Sequence, residues 1–329
     1  MKRRSILAAG AASLVAAPAW VGAQSPAWPT RGPVRLVAQF PPGGLVDTVS
    51  RLIAPHLSQA LGGQTVLVEN RAGAGGLIGT DYVSKQPADG YTLLVSHASV
   101  HVYATATRRT MPFDAVADFT HVGMLVEAPM VLLVRGQSPF LTLEQYVTAA
   151  KTKPVRYGSS GIGSANHLFG EMLKLEGKAP QHDHIPYQGS APAMQDLMGG
   201  NIDSLFDPVT TNVAQLKAGS LRALAVSTPA RLPAFPNIPT FAELGYPKLT
   251  GSQWLGLSAP KGLPAPIVQR IAALIPEILA KPDIAARLDE LQTLPRKAPV
   301  LGNDFVQLIN SQIDTWRAVA KQANVEVIT

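Results

Sequence analysis

From Val34 to Ser227 the chain repeats one pattern. A short apolar run is followed by a Gly-, Pro- or Ser-rich turn, then by a segment with apolar residues at helical spacing. VRLVAQF, TVLVEN and YTLLVS are strand-like, and amphipathic stretches near 45–61 and 77–86 separate them. Strands alternating with helices demand a parallel sheet covered on both faces, so the chain is read as α/β. After a long apolar strand, VGMLVEAPMVLLV, the alternation resumes: helix 142–152, strand VRYGS, helix 164–176, strand HIPYQ, helix 190–199, strand IDSLFD, helix 209–218 and strand LRALAVS. Residues 229–252 are rich in Pro and Gly and read as a connection, followed by strand WLGLSAP and helices near 264–280, 282–291 and 302–323. Pro276 should kink or split the first of these.

At 329 residues the chain is long enough for two cores. The economical arrangement is two αβ lobes with the chain crossing between them twice. One lobe takes about 30–125 and 255–329, and the other takes 126–254. Small ligands sit in clefts between such lobes.

The first 23 residues stand apart. MKRRSILAAGAASLVAAPAWVGA has a basic start, an apolar middle broken by Pro18, and small residues at Val21 and Ala23. It reads as an export signal, cleaved after Ala23. Arg3-Arg4 followed by Ile6-Leu7 raises the twin-arginine route, although the full pattern is incomplete. Removing this segment lowers the net charge from +6 to +3, because it carries three basic residues and no acidic ones. No Lys/Arg cluster remains, so nucleic acid is not an expected partner. The absence of cysteine excludes disulfides, thiol nucleophiles and Cys-based zinc sites.

The most informative local feature is FPPGGLVDTVSR, residues 40–51. Ligands of open parallel sheets bind beyond the carboxyl ends of the strands. Here the prolines set the exit path of the first strand, and Gly43 and Gly44 let the backbone turn without side chains. A helix starting at Leu45 would aim free N–H groups, backed by its dipole, at an anion. Asp47 is placed to reach back to the turn as in a capping box, because a free carboxylate there would repel such an anion. RYGSSGIGSANH, residues 156–167, repeats the device, with Ser164 as helix cap and Ser159 and Ser160 as extra hydroxyls.

Competing motifs are weaker. Gly73, Gly75 and Gly79 mimic a dinucleotide fingerprint, but they follow the second strand, and the next strand ends in Ser96-His97 rather than an acidic residue. His97 with His101, and His182-Asp183-His184, lack a third ligand at motif spacing and read as solvated loop side chains. Neither a metal nor a cofactor is expected. No nucleophile–base pair and no G-x-S-x-G elbow is present, so an enzyme, or a metal-binding protein on the same fold, is only the alternative reading. Asp207 could accept from a ligand or cap the helix beginning at Pro208. Trp254 and Trp316 read as packing residues.

Over almost the whole mature chain, and in order, LGGQTVLVENRAGAGGLIG, ADGYTLLVS, MPFDAVADF, YGSSGIGSANHL, HIPYQGSAPAMQDLMGGNID, LRALAVS and WLGLSAPKGLP accompany the first loop. Together they resemble the Bug family, the periplasmic solute-binding proteins of tripartite tricarboxylate transporters. The resemblance implies a two-lobed Venus-flytrap fold of the type II periplasmic-binding-protein class with two crossover strands. It implies no catalysis, and a periplasmic receptor that hands a small carboxylate to the membrane components of its transporter. Carried onto this sequence, the binding loops are Phe40 to Asp47 (with Phe40, Pro42, Gly43, Gly44 and Asp47) and Ser159 to His167 (with Ser159, Gly161, Gly163, Ser164 and His167). Ser96, His97, Gln188 and Asp207 complete the expected contacts. Two stretches depart from the family pattern: Gln188 replaces a frequent basic residue, and SHASVHVYAT replaces an Asn-Pro segment. The expected ligands therefore extend from aliphatic di- and tricarboxylates to aromatic carboxylates.

Overall fold

A computed structural model describes residues 28–293 and 298–325. The expected export signal lies outside them. Parallel strands β1 (Val34–Ala38), β2 (Val66–Asn70) and β3 (Thr92–His97) form one half of the sheet, in the order β2-β1-β3. Helices α1 (Leu45–Ala60) and α2 (Leu77–Ser84) make the crossovers, as the alternation of apolar runs requires. A π-helical stretch, Ser99–Ala104, continues into α3 (Thr105–Thr107).

The long strand β4 (Phe119–Arg135) changes partner along its length. From Phe119 to Pro129 it runs antiparallel to β9 (Ser252–Pro260), which also pairs with β3. From Met130 onward it lies between β7 (Ser204–Pro208) and β8 (Leu221–Val226). Parallel strands β5 (Val155–Ser159) and β6 (His182–Pro186) extend that second half beyond β7. Helices α4 (Leu143–Ala150), α5 (Ala165–Glu176), α6 (Ser190–Gly199) and α7 (Val213–Lys217) cover it. The result is a two-lobed α/β fold in which the chain leaves the first lobe along β4 and returns along β9.

Each lobe has apolar clusters on its sheet. Val49, Ile53 and Leu57 of α1 meet Ile271, Ile275 and Ile278 of α8 (Ala265–Leu279) and Ile284 and Leu288 of α9 (Pro282–Glu290) over β1, β3 and β9. Helix α10 (Gly302–Gln322) joins the lobes: its Trp316 ring lies 5.3 Å from that of Tyr103 and 4.8 Å from that of Phe169 in α5. Trp254 is fully buried and donates through Nε1 to Gln312 at 2.8 Å, so both tryptophans are packing residues.

Two local expectations are corrected, and one element lay outside them. Helix α8 is not split at Pro276, because its apolar face on either side of the proline is anchored in the core. The helix expected over 209–218 is broken at Asn212, whose side chain is drawn back to Asp207 and to the Pro208 carbonyl. The helical stretch after β3 was not foreseen, since its buried residues Val100, Val102, Tyr103 and Ala106 do not follow a 3.6-residue period.

Close packing of the crossing strands yields a test. A Cβ built on Gly256 in β9 would stand 2.5 Å from the Phe305 ring and 2.9 Å from the Gly123 carbonyl oxygen. Gly256→Ala should therefore cost about 1–3 kcal/mol, read as a lower urea midpoint at unchanged slope. An unchanged midpoint would contradict this packing.

Candidate functional site

The first loop folds around Asp47. Gly43 adopts φ +83°, a conformation that favours glycine, whereas Gly44 is extended at φ −77° and caps α1. The buried Asp47 carboxylate accepts from the Gly43 N–H at 2.9 Å and from Asn70 Nδ2 at 2.9 Å, and Arg51 Nε donates to it at 3.0 Å. Asn70 also donates to the Phe40 carbonyl at 3.1 Å, which ties the end of β2 to the loop. Burial works to raise the Asp47 pKa, but the donors from Arg51, Gly43 and Asn70 outweigh it and hold the group below its ordinary value. With Asp47 occupied in this way, the N–H groups of Gly44, Leu45 and Val46 have no acceptor among the described residues.

The second loop uses a histidine and a serine. Ser164 Oγ accepts from the His167 N–H, and the Gly163 N–H donates to His167 Nδ1 at 3.0 Å. Gly161 and Gly163 sit at φ +131° and +76°. The loop rests on the first lobe, where a Cβ on Gly163 would fall 2.7 Å from Thr107 Oγ1. The His167 ring stacks on His184 at 3.8 Å, and His184 Nε2 lies 2.6 Å from Ser159 Oγ. Burial pulls the two ring pKa values down to about 4 and about 3, so both are neutral at pH 7. At the start of α5 the N–H groups of Ala165 and Asn166 have no acceptor among the described residues.

Both helix starts open onto one cavity of about 700 Å³. Of the residues expected at the site, Phe40, Pro42, Gly44, His97, Ser164 and Asp207 line it. The others do not reach the wall. Gly43, Asp47, Gly161, Gly163 and His167 shape the two turns from behind. Ser96 is buried and accepts from Ser258 Oγ at 2.9 Å, Ser159 is held by His184, and Gln188 is exposed and does not line the cavity. Asp207 is buried and accepts from Asn166 Nδ2 at 3.1 Å, Thr211 Oγ1 at 2.9 Å and Asn212 Nδ2 at 2.8 Å. It does not cap the turn beginning at Val209, which has no side-chain cap. Burial raises its pKa, while these donors oppose the rise.

A third helix start reaches the same cavity through Ser190 and Ala191 of α6, and Asn166, Thr211, Asn212 and Gln253 add polar groups. The Gly189-Ser190 pair repeats the Gly/Ser pattern of the turn before α5 and was a readable signal. Gln253, inside an apolar strand, gave none. The histidines expected in solvent are instead mostly interior. His182 stacks on Tyr157 at 4.2 Å and pairs with Tyr146 Oη at 2.8 Å, and His101 is fully buried among Phe119, His121 and Trp254. Among the described residues, no three His, Cys, Asp or Glu side chains are gathered as a metal site.

The Asp47 knot gives a pH signature. Its folded pKa is depressed, so its stabilisation is complete above the unfolded carboxylate value and is lost as pH falls through the folded one. Asp47→Asn should cost about 1–2 kcal/mol at neutral pH, and the gap from wild type should close below about pH 4. Urea unfolding across a pH series measures it. A gap that persists undiminished in acid would contradict the assignment.

The comparisons with known proteins fit this geometry. The family model described as the tripartite tricarboxylate transporter family receptor, TctC, matches residues 49–325. Protein BugT of Bordetella pertussis is 34% identical over 304 residues, covering 91% of each chain. A solved structure described as R. palustris Rpa4515 with adipate superposes with TM-score 0.80 at 33% identity, over 92% of this chain and 100% of that one. MatC from Rhodopseudomonas palustris with bound malate superposes with TM-score 0.75 at 32% identity, over 88% and 99%. The chain belongs to the TctC family of tripartite tricarboxylate transporter receptors, the Bug-type solute-binding proteins.

Proposed function

We propose that this protein is an extracytoplasmic receptor that captures a small carboxylate in the interlobe cavity and delivers it to the membrane components of a tripartite tricarboxylate transporter. One observation carries the reading: unpartnered N–H groups at the start of α1 in one lobe and α5 in the other open onto the same cavity. An anion placed between them would take hydrogen bonds from both lobes and the favourable ends of two helix dipoles. Bridging the lobes in this way favours the closed arrangement, which is the signal a transporter can read. The adipate and malate held by the two R. palustris relatives belong to the same chemical class. Residues 1–23 are assigned as the cleavable export signal that places the receptor in the periplasm. The lobes are assigned as 30–125 with 255–329, and 126–254; the change of β4 partner at Pro129–Met130 supports a division close to this one.

Gly44 supplies the test. A Cβ there would meet only the Pro41 carbonyl oxygen, at 3.6 Å, and the extended backbone accepts any residue. Gly44→Val should keep the urea midpoint of wild type yet weaken carboxylate binding by about tenfold or more, because the branched side chain occupies the space in front of the donors. Calorimetry with the acids that raise the melting temperature of wild type measures this. Unchanged affinity in the folded variant would remove the loop from the site.

A further inference from the structure

The cavity has an unusual charge balance for a site that takes acids. Among the described residues on its wall there is no lysine and no arginine, and the only acidic side chain is Asp207, whose carboxyl group has no cationic partner. The helix starts of α1 and α5 can hold one carboxylate through neutral N–H groups. What meets the rest of the ligand includes the ring of His97 at the end of β3, seated edge-on against Phe40 with centroids 5.4 Å apart.

The geometry determines what His97 offers. The Ser99 N–H donates to His97 Nδ1 at 3.1 Å. A nitrogen that accepts carries no proton, so in the neutral ring the proton is on Nε2. Burial pulls the ring pKa down to about 4, which keeps it neutral. Nε2 has no hydrogen-bond partner among the described residues, and it is not one of the sealed polar atoms of the interior. Since His97 lines this cavity, Nε2–H is a single neutral donor presented to its occupant.

Resting on the receptor reading above, we propose that His97 is the specificity-determining donor of the cavity and that the ligand is a monocarboxylate whose far end carries an uncharged acceptor, such as an amide, ketone or hydroxyl oxygen. A second ionised carboxylate at His97 would leave water for a wall that offers neutral donors but no cation to receive it, in a cavity that already holds the Asp207 carboxyl group. A neutral acceptor satisfies Nε2–H without that cost.

Matched pairs of acids test it: adipate against its monoamide with hexanoate as the reference lacking an acceptor, and terephthalate against its monoamide with benzoate. Calorimetry on wild type should show each monoamide binding about tenfold more tightly than the matching diacid, and more tightly than the reference. In His97→Phe the preference of monoamide over reference should fall to near one, and His97→Gln, which restores an N–H donor at similar reach, should recover it; melting curves establish that both variants fold. Diacids that bind as well as or better than their monoamides would overturn the proposal and leave the receptor reading intact. A preference that survives in His97→Phe would overturn the role of His97. If no carboxylic acid binds wild type at all, the receptor reading itself fails, and this proposal with it.

Discussion

Strands β4 and β9 run antiparallel from Phe119 opposite Pro260 to Pro129 opposite Ser252, and all nine residues of β9 are buried. Everything else is placed relative to this pair. The parallel strands of the first lobe reach it through β3, and those of the second reach it through β7. Because parallel strands in each lobe end toward the cleft, the loops that follow β1 and β5 meet across it. The glycine turns at Gly43 and Gly44 and at Gly161 and Gly163, far apart in sequence, thereby come to border a single cavity. Glycine at 256 lets the pair lie close beneath Phe305, and glycine at 123 lets it approach Leu301 and Ile275, so the crossing is anchored to α10, the helix that also touches both lobes.

The site built on this frame works without side-chain cations. Its donors are backbone N–H groups, hydroxyls and amides, and the buried histidines around it are held neutral by their surroundings. Such donors recognise an anion by geometry and exact little desolvation when the cavity is empty. The charged groups that do occur act as internal fasteners. Asp47 closes the first turn with Arg51 and Asn70, and Asp207 gathers Asn166, Thr211 and Asn212. In both cases a buried carboxyl group fixes the side chains around it, Arg51 and Asn70 in the first lobe and Asn166, Thr211 and Asn212 in the second.

Much of this was legible in the residues. The strand–helix alternation, the start of α1 at Leu45, the backward reach of Asp47 and the cap at Ser164 follow from local rules that act over four or five residues, and local rules survive folding. What was not legible depends on long-range packing. His167 has the spacing of a site residue but turns inward to stack on His184, 17 positions away. Gln188 sits beside the binding turn in sequence yet is exposed and does not line the cavity, whereas Ser190 two positions on does. Ser96 faces Ser258 across the sheet, a pairing that only the return of β9 creates. Gln253 reaches the cavity for the same reason. The helix broken at Asn212 shows the converse: its amphipathic pattern continues, but the draw of Asp207 on one side chain overrides it.

The central claim is that one bound carboxylate is held by the helix starts of both lobes at once. Backbone amide resonances of a nitrogen-15-labelled protein report this directly during titration with an acid that raises its melting temperature. The amides of Gly44, Leu45 and Val46 should shift together with those of Ala165 and Asn166, along curves that give one dissociation constant. Shifts confined to one lobe, or two sets saturating at different concentrations, would contradict a carboxylate shared between α1 and α5.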